Sequence, residues 1–286
     1  MTWAVPYTAH LGLLPPDLRP QFFDTLGTTD PSAHIRYAAE LGFAGVQYTW
    51  ALDRPAEEVA RVGAALREAR LEGGLIAAFP FAEFVTPLWT DRSAEGRRKL
   101  TDAVRRSAGL AASLNAKGLV TLIGADPNRA DQVRQLEDVA ANVCEVAPIA
   151  ADSGLVIGVE PMAVLPNMLL RSTRTAVELM ETLDQPNVGI VFDTPLVAMM
   201  DGDLVAALDV ARDHLVRVQI ADSGRVEPGA GELGNALVEV VAQALAAGYT
   251  GAVDLEHGWQ HSGKEGEQAG LEQLRRFDDQ VRAAIG

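Results

Sequence analysis

A single cysteine, Cys144, among 286 residues excludes an internal disulfide and fits a reducing compartment. No apolar run approaches the ~20 residues that a membrane-spanning helix needs. The opening MTWAVPYTAHLG has neither the basic region nor the sustained apolar run of a secretory signal. Positive charge is also in short supply: 24 Lys and Arg against 39 Asp and Glu give a net charge of −15. A surface of that sign excludes nucleic acid and anionic membranes as partners, because phosphate binding needs a basic patch. No Gly-rich phosphate fingerprint follows the first strand, which argues against a dinucleotide-binding open sheet. These absences predict a soluble, cytoplasmic protein.

Hydrophobic residues make up 48% of the chain, ample for a large core. They fall into short apolar runs separated by amphipathic stretches. Strands are predicted at Trp3–Tyr7, 43–50, 75–80, 118–124, 154–160, 187–193, 215–221 and 251–256. Helices are predicted over 30–41, 55–70, 93–115, 127–152, 173–184, 203–213, 235–247 and 265–284, and a proline-rich rim loop runs through Pro15, Pro16 and Pro20. Asp30 ahead of Pro31 is an N-terminal cap, and Gly42 is a stop. Eight apolar strands alternating with eight helices indicate a parallel sheet with helices outside. The simplest closure is one (β/α)8 TIM-barrel domain over residues 1–286, with an open doubly wound sheet as the alternative.

Four strands in the second half end on an oxygen-bearing side chain. GLVIGVE ends at Glu160, NVGIVFD at Asp193, LVRVQI carries Gln219, and GAVDLE ends at Glu256. Successive members lie 33, 26 and 37 residues apart, about one βαβ step each. A carboxylate after an apolar run is costly unless paired or metal-bound. The plain alternative is rim residues solvated or paired with Arg171, Arg225 or Lys264. Convergence of all four would make a hard, oxygen-only set suited to Mg²⁺ or Mn²⁺, with Co²⁺ a further candidate and zinc a poorer match. Phe79, Phe81, Phe84, Trp89 and Trp259 are candidates for a pocket wall, and ordinary packing is the alternative. His34 and His214 fall at helical positions; His10 lies in the first loop.

The run from Gln219 to Glu232, QIADSGRVEPGAGE, resembles the signature of hydroxypyruvate isomerase, within the xylose-isomerase-like group of barrel sugar isomerases and epimerases. The likeness continues through GYTGAVDLE, VGIVFDT and VIGVEP and is specific over about residues 154–257. The resemblance implies that Glu160, Asp193, Gln219 and Glu256 ligate a divalent metal. It further implies that Glu160 and Glu256 form the proton-transfer pair, and that Arg225 binds the anionic or hydroxyl end of the substrate. Two departures stand out. Many relatives carry a histidine three residues after the aspartate, where this chain has Leu196, and a histidine two residues before the metal-binding amide, where it has Arg217. His257, directly after Glu256, is a candidate replacement donor to substrate; a supporting histidine is the plainer reading.

The implied activity is isomerisation or epimerisation of a small ketose, inosose or hydroxy-keto acid through an enediolate. A metal-dependent dehydratase of a β-hydroxy ketone such as an inosose or dehydroshikimate is the first rival. An endonuclease of the endonuclease IV type needs a histidine-rich zinc cluster that five histidines do not suggest. A catalytically dead sugar-binding barrel is the non-enzymatic alternative. The expected partner is a small keto compound, and a homo-oligomer is compatible with all of this.

Overall fold

A computed structural model describes residues 2–286. The eight strands are β1 Tyr7–His10, β2 Gly45–Gln47, β3 Leu75–Ala77, β4 Gly118–Thr121, β5 Val156–Val159, β6 Val188–Asp193, β7 Leu215–Ile220 and β8 Val253–Leu255. All are parallel, in the order β2-β1-β8-β7-β6-β5-β4-β3, so β8 closes against β1 and the seam falls between β2 and β3. Single hydrogen bonds bridge that seam: Val46 N–H to Glu72 O at 2.9 Å, Glu72 N–H to Ala44 O at 3.1 Å and Ala77 N–H to Thr49 O at 2.7 Å. Gly74, at φ +65°, lets the chain enter β3 where a Cβ would stand 3.1 Å from the Val46 carbonyl. The result is a nearly closed (β/α)8 barrel.

The outer layer comprises α1 Phe23–Leu26, α2 Pro31–Leu41, α3 Ala56–Ala69, α4 Ala94–Ser113, α5 Gln132–Ala151, α6 Thr173–Thr182, α7 Thr194–Asp201, α8 Leu204–Ala211, α9 Gly234–Ala246 and α10 Gly263–Ile285. Their starts follow from local chemistry. Asp30, Ser93, Asp131, Ser172, Asp193 and Asp203 each accept a backbone N–H from the first turn of the following helix. Gly42 at φ +80° ends α2, as its position in the sequence suggests.

Two features differ from the sequence expectation. The first strand begins at Tyr7 rather than Trp3. Pro6 has no N–H to give a ladder, and the N–H groups of Ala4 and Val5 go instead to the buried Asp278 carboxylate of α10. The segment after Asp193, to which no element was assigned from the sequence, is the helix α7, capped by Asp193 itself with Pro195 in its first turn.

Side chains facing the barrel axis divide into two halves. On β3, β4, β5 and β6 they are Leu75, Ala77, Val120, Val156 and Val191, which pack with Leu122, Trp50, Phe84 and Met168 above them. Below the mouth on the β7–β8 side the filling is ionic. Arg217, 2% exposed, donates Nε to Asp254 Oδ1 at 2.8 Å and Nη1 to Glu72 Oε1 at 2.7 Å; its Nη2 also meets Asp254, which accepts from Thr8 Oγ1 as well. Burial lowers the proton affinity of the guanidinium; Asp254 and then Glu72 outweigh it and raise it above the ordinary value. Arg217 is thus barrel filling, one layer beneath Gln219, a position for which the sequence offered only a departure from relatives.

Removing one member of such a buried set strands the others. Arg217→Met is expected to cost about 3–5 kcal/mol in urea unfolding, because it leaves Asp254 and Glu72 without their cation. Arg217→Met with Asp254→Leu should lose less than Arg217→Met alone.

Candidate active site

The mouth above this filling is built by four consecutive strands. Because inward-facing residues alternate along a strand, β6 and β7 present Asp193 and Gln219 as register partners at their carboxyl ends. Glu160 and Glu256 sit one residue past β5 and β8. Each continues the ladder, with Glu160 N–H donating to Thr121 O and Glu256 N–H to Ile220 O, both at 3.0 Å. Gln219 Nε2 donates to Glu256 Oε1 at 3.0 Å.

Arg225 reaches into the same place from the β7–α9 loop. Its Nη2 donates to Asp193 Oδ2 at 3.0 Å; its Nη1 donates to the Glu256 carbonyl at 3.2 Å and lies 3.6 Å from Glu256 Oε2. Asp193 Oδ1 is already taken by the Leu196 N–H at 3.0 Å. Three carboxylates therefore face one guanidinium, and the electrostatics follow. Burial, then Asp193 and Glu256, push Glu160 well above the usual carboxylate range. Burial raises Asp193, with Arg225 partly offsetting it. Burial pushes Glu256 up to about 8, against Arg225 and with Asp193. Burial would lower Arg225, but Asp193, Glu256 and Glu160 raise it.

The loop that delivers Arg225 is organised by Asp222, whose side chain accepts from Ser223 N and Leu233 N at 2.7 Å and from Gly229 N at 2.9 Å. Gly231 is required there, since a Cβ would lie 2.5 Å from Asp222 Oδ1. Glu227 then accepts Gln260 N–H at 2.8 Å, tying this loop to the one after β8. Asp222 was not singled out from the sequence, although a short acceptor ahead of a Gly-rich run is the usual mark of such a hub.

His257 is fully buried and turned to other partners. Its Nδ1 lies 2.6 Å from Gly258 O, its Nε2 lies 3.2 Å from Gln21 Nε2, and its ring packs edge-on to Trp259. Burial lowers it to about 4, so it is neutral at neutral pH. His10 joins the same cluster through Nε2 to His257 O at 3.0 Å. Gln21, which carries no sequence signal, completes it. Among the aromatic candidates, Phe79 and Trp89 are core residues stacked edge-on at 5.8 Å, with the Trp89 indole on Thr121 Oγ1. Phe81 and Phe84 flank Trp50 at the rim, and Trp259 donates its indole N–H to Gln21 O at 2.6 Å.

The donor set of Glu160, Asp193, Gln219 and Glu256 is oxygen-only and, with its acids ionised, carries two more negative charges than Arg225 neutralises, which fits a hard divalent cation. As they stand, no three Asp, Glu, His or Cys side chains among the described residues form a ready-made cation cluster. Arg225 instead holds Asp193 and Glu256.

Residues 35–277 match the family model described as xylose isomerase-like TIM barrel. The chain is 26% identical over 230 residues to 2-oxo-tetronate isomerase of Pectobacterium atrosepticum, covering 78% of this chain and 84% of that protein. It is likewise 26% identical over 230 residues to hydroxypyruvate isomerase of Escherichia coli, covering 79% and 88%. Among solved structures, the apo form of 3-keto-D-glucoside 4-epimerase from E. coli superposes with a TM-score of 0.74 at 20% identity, over 96% of this chain and 99% of that one, a likeness of fold. A match across 35–277 on a barrel of this strand order leaves one assignment: the chain belongs to the xylose isomerase-like TIM-barrel family.

Proposed function

We propose that this protein is a divalent-metal-dependent isomerase or epimerase of a small ketose or hydroxy-keto acid. The observation that carries the reading is the placement of Glu160, Asp193, Gln219 and Glu256 at the mouth ends of four adjacent strands with Arg225 among them. The two isomerase relatives support the reaction class.

In this reading Glu160, Asp193, Gln219 and Glu256 hold Mn²⁺ or Mg²⁺, which, when bound, supplies the positive charge that stabilises an enediolate. Glu160 and Glu256 follow β5 and β8, at the two ends of the quartet's arc, with β6 and β7 between them. A substrate lying between them exposes its α-carbon to one glutamate as base, while the other returns a proton. Arg225 supplies a fixed cation for a carboxylate or hydroxyl end. The apolar half of the barrel, with Trp50, Phe84 and Met168 at its top, keeps water from the far side of the mouth and raises the basicity of the glutamates.

Glu160→Gln and Glu256→Gln should each lower turnover by at least about 10²–10⁴-fold while leaving the fold intact by circular dichroism. With wild-type enzyme and a panel of keto acids and ketoses in D₂O with Mn²⁺, deuterium should enter the carbon next to the carbonyl, followed by NMR. An unsaturated ketone absorbing in the ultraviolet, without isomeric product, would assign the protein to the dehydratases instead. Full activity after chelator treatment would remove the metal from the mechanism.

The raised carboxylates also make a stability prediction. A carboxyl group whose folded pKa lies above its unfolded value binds more protons when folded, so stability falls as pH rises between the two values. For Glu256 that window runs from about 4.5 to about 8. The metal-free protein should therefore show a lower Tm at pH 8 than at pH 5.5, and Mn²⁺ should reduce that difference.

A further inference from the structure

We infer that Arg225 is a displaceable counter-cation: it occupies the carboxylates of the metal-free site, competes with the divalent ion for them, and is released toward substrate when the ion loads. The inference rests on the metal reading above.

Three observations carry it. The guanidinium bridges two of the four candidate ligand residues, at 3.0 Å from Asp193 Oδ2 and 3.6 Å from Glu256 Oε2. These are oxygens that an ion at this place would need, so one cation excludes the other. The side chain enters from solvent and is 39% exposed, whereas Asp193 is 2% and Glu256 16% exposed. The acids are fixed by the barrel, and the arginine is the part with room to leave. Its backbone is set independently: Arg225 N donates to Asp222 O and Arg225 O accepts from Gly258 N, both at 3.0 Å. The side chain can therefore swing without unravelling the loop. Gly258 follows Glu256 and His257, so the same carbonyl keeps Arg225 beside the site after its guanidinium lets go.

The consequence is an order of events. Arg225 supplies one positive charge to three acids, so a divalent ion still has carboxylates to take. The arriving ion takes Asp193 and Glu256, and the freed guanidinium faces the mouth, where a substrate oxygen or carboxylate is its next partner. Metal binding is weakened by the fraction of time the arginine spends on its carboxylates.

The test is Mn²⁺ binding to metal-stripped protein, read by electron paramagnetic resonance of the free ion. Wild type is compared with Arg225→Met, which cannot pair with carboxylates, and Arg225→Lys, which keeps the charge but cannot span both acids. Arg225→Met should bind Mn²⁺ about ten-fold more tightly or better, and Arg225→Lys should also bind more tightly than wild type. Tightening in Arg225→Met alone would mean that net charge, not occupancy of the carboxylates, sets the affinity, and would overturn the inference. So would equal affinities in all three, with the metal reading left standing. Absence of Mn²⁺ binding in every protein would overturn both.

Discussion

Buried negative charge with too little positive charge to match it is the constraint around which the mouth of this barrel is arranged. Glu160, Asp193 and Glu256 are held by backbone that has no freedom to withdraw them: two extend the strand ladder, and the third caps α7. Taking carboxylates out of water costs several kcal/mol each unless they are protonated or paired. The single guanidinium of Arg225 meets part of that demand, and the raised proton affinity of the acids meets the rest. In the function proposed above, these protonated or part-paired acids are the groups that would take up a cation and move protons.

One layer below, the same problem is solved differently. Arg217 is enclosed by Asp254 and Glu72, so the cation and Asp254 are both buried and fixed, with Glu72 closing the outer side. The contrast between the two arginines is one of geometry: enclosed and multiply anchored in one case, entering from solvent on a loop in the other. The histidine expected two residues before the amide is replaced here by a residue that completes the barrel floor.

The division of the axis-facing side chains into an apolar half on β3–β6 and an ionic half on β7–β8 places the acids at a boundary between dry and charged surroundings. That boundary is what shifts Glu160 and Glu256 upward, and it sits over the strands that carry the four candidate ligands. His257, Gln21, His10 and Trp259 form a separate neutral cluster that buttresses the first loop against the loop after β8.

Much of this was legible in the chain itself. Period-two and period-3.6 apolar patterns marked eight strands and eight of the helices, and the spacing of Glu160, Asp193, Gln219 and Glu256 located the strand ends, because a parallel barrel repeats one local unit. Local patterns are weakest where a distant residue intervenes. The first strand starts late because Asp278, over 270 positions away in sequence, takes the N–H groups of Ala4 and Val5. Helix α7 was hidden because its cap, Asp193, already had another reading as a strand-end acid. The pairing of Arg217 with Asp254 and Glu72, of Arg225 with Asp193 and Glu256, and of His257 with Gln21 joins residues 31 to 236 positions apart. The sequence by itself determined which side chains stand at the strand ends. Only the closed barrel decided which charges face one another, since that depends on how eight strands are brought around a common axis.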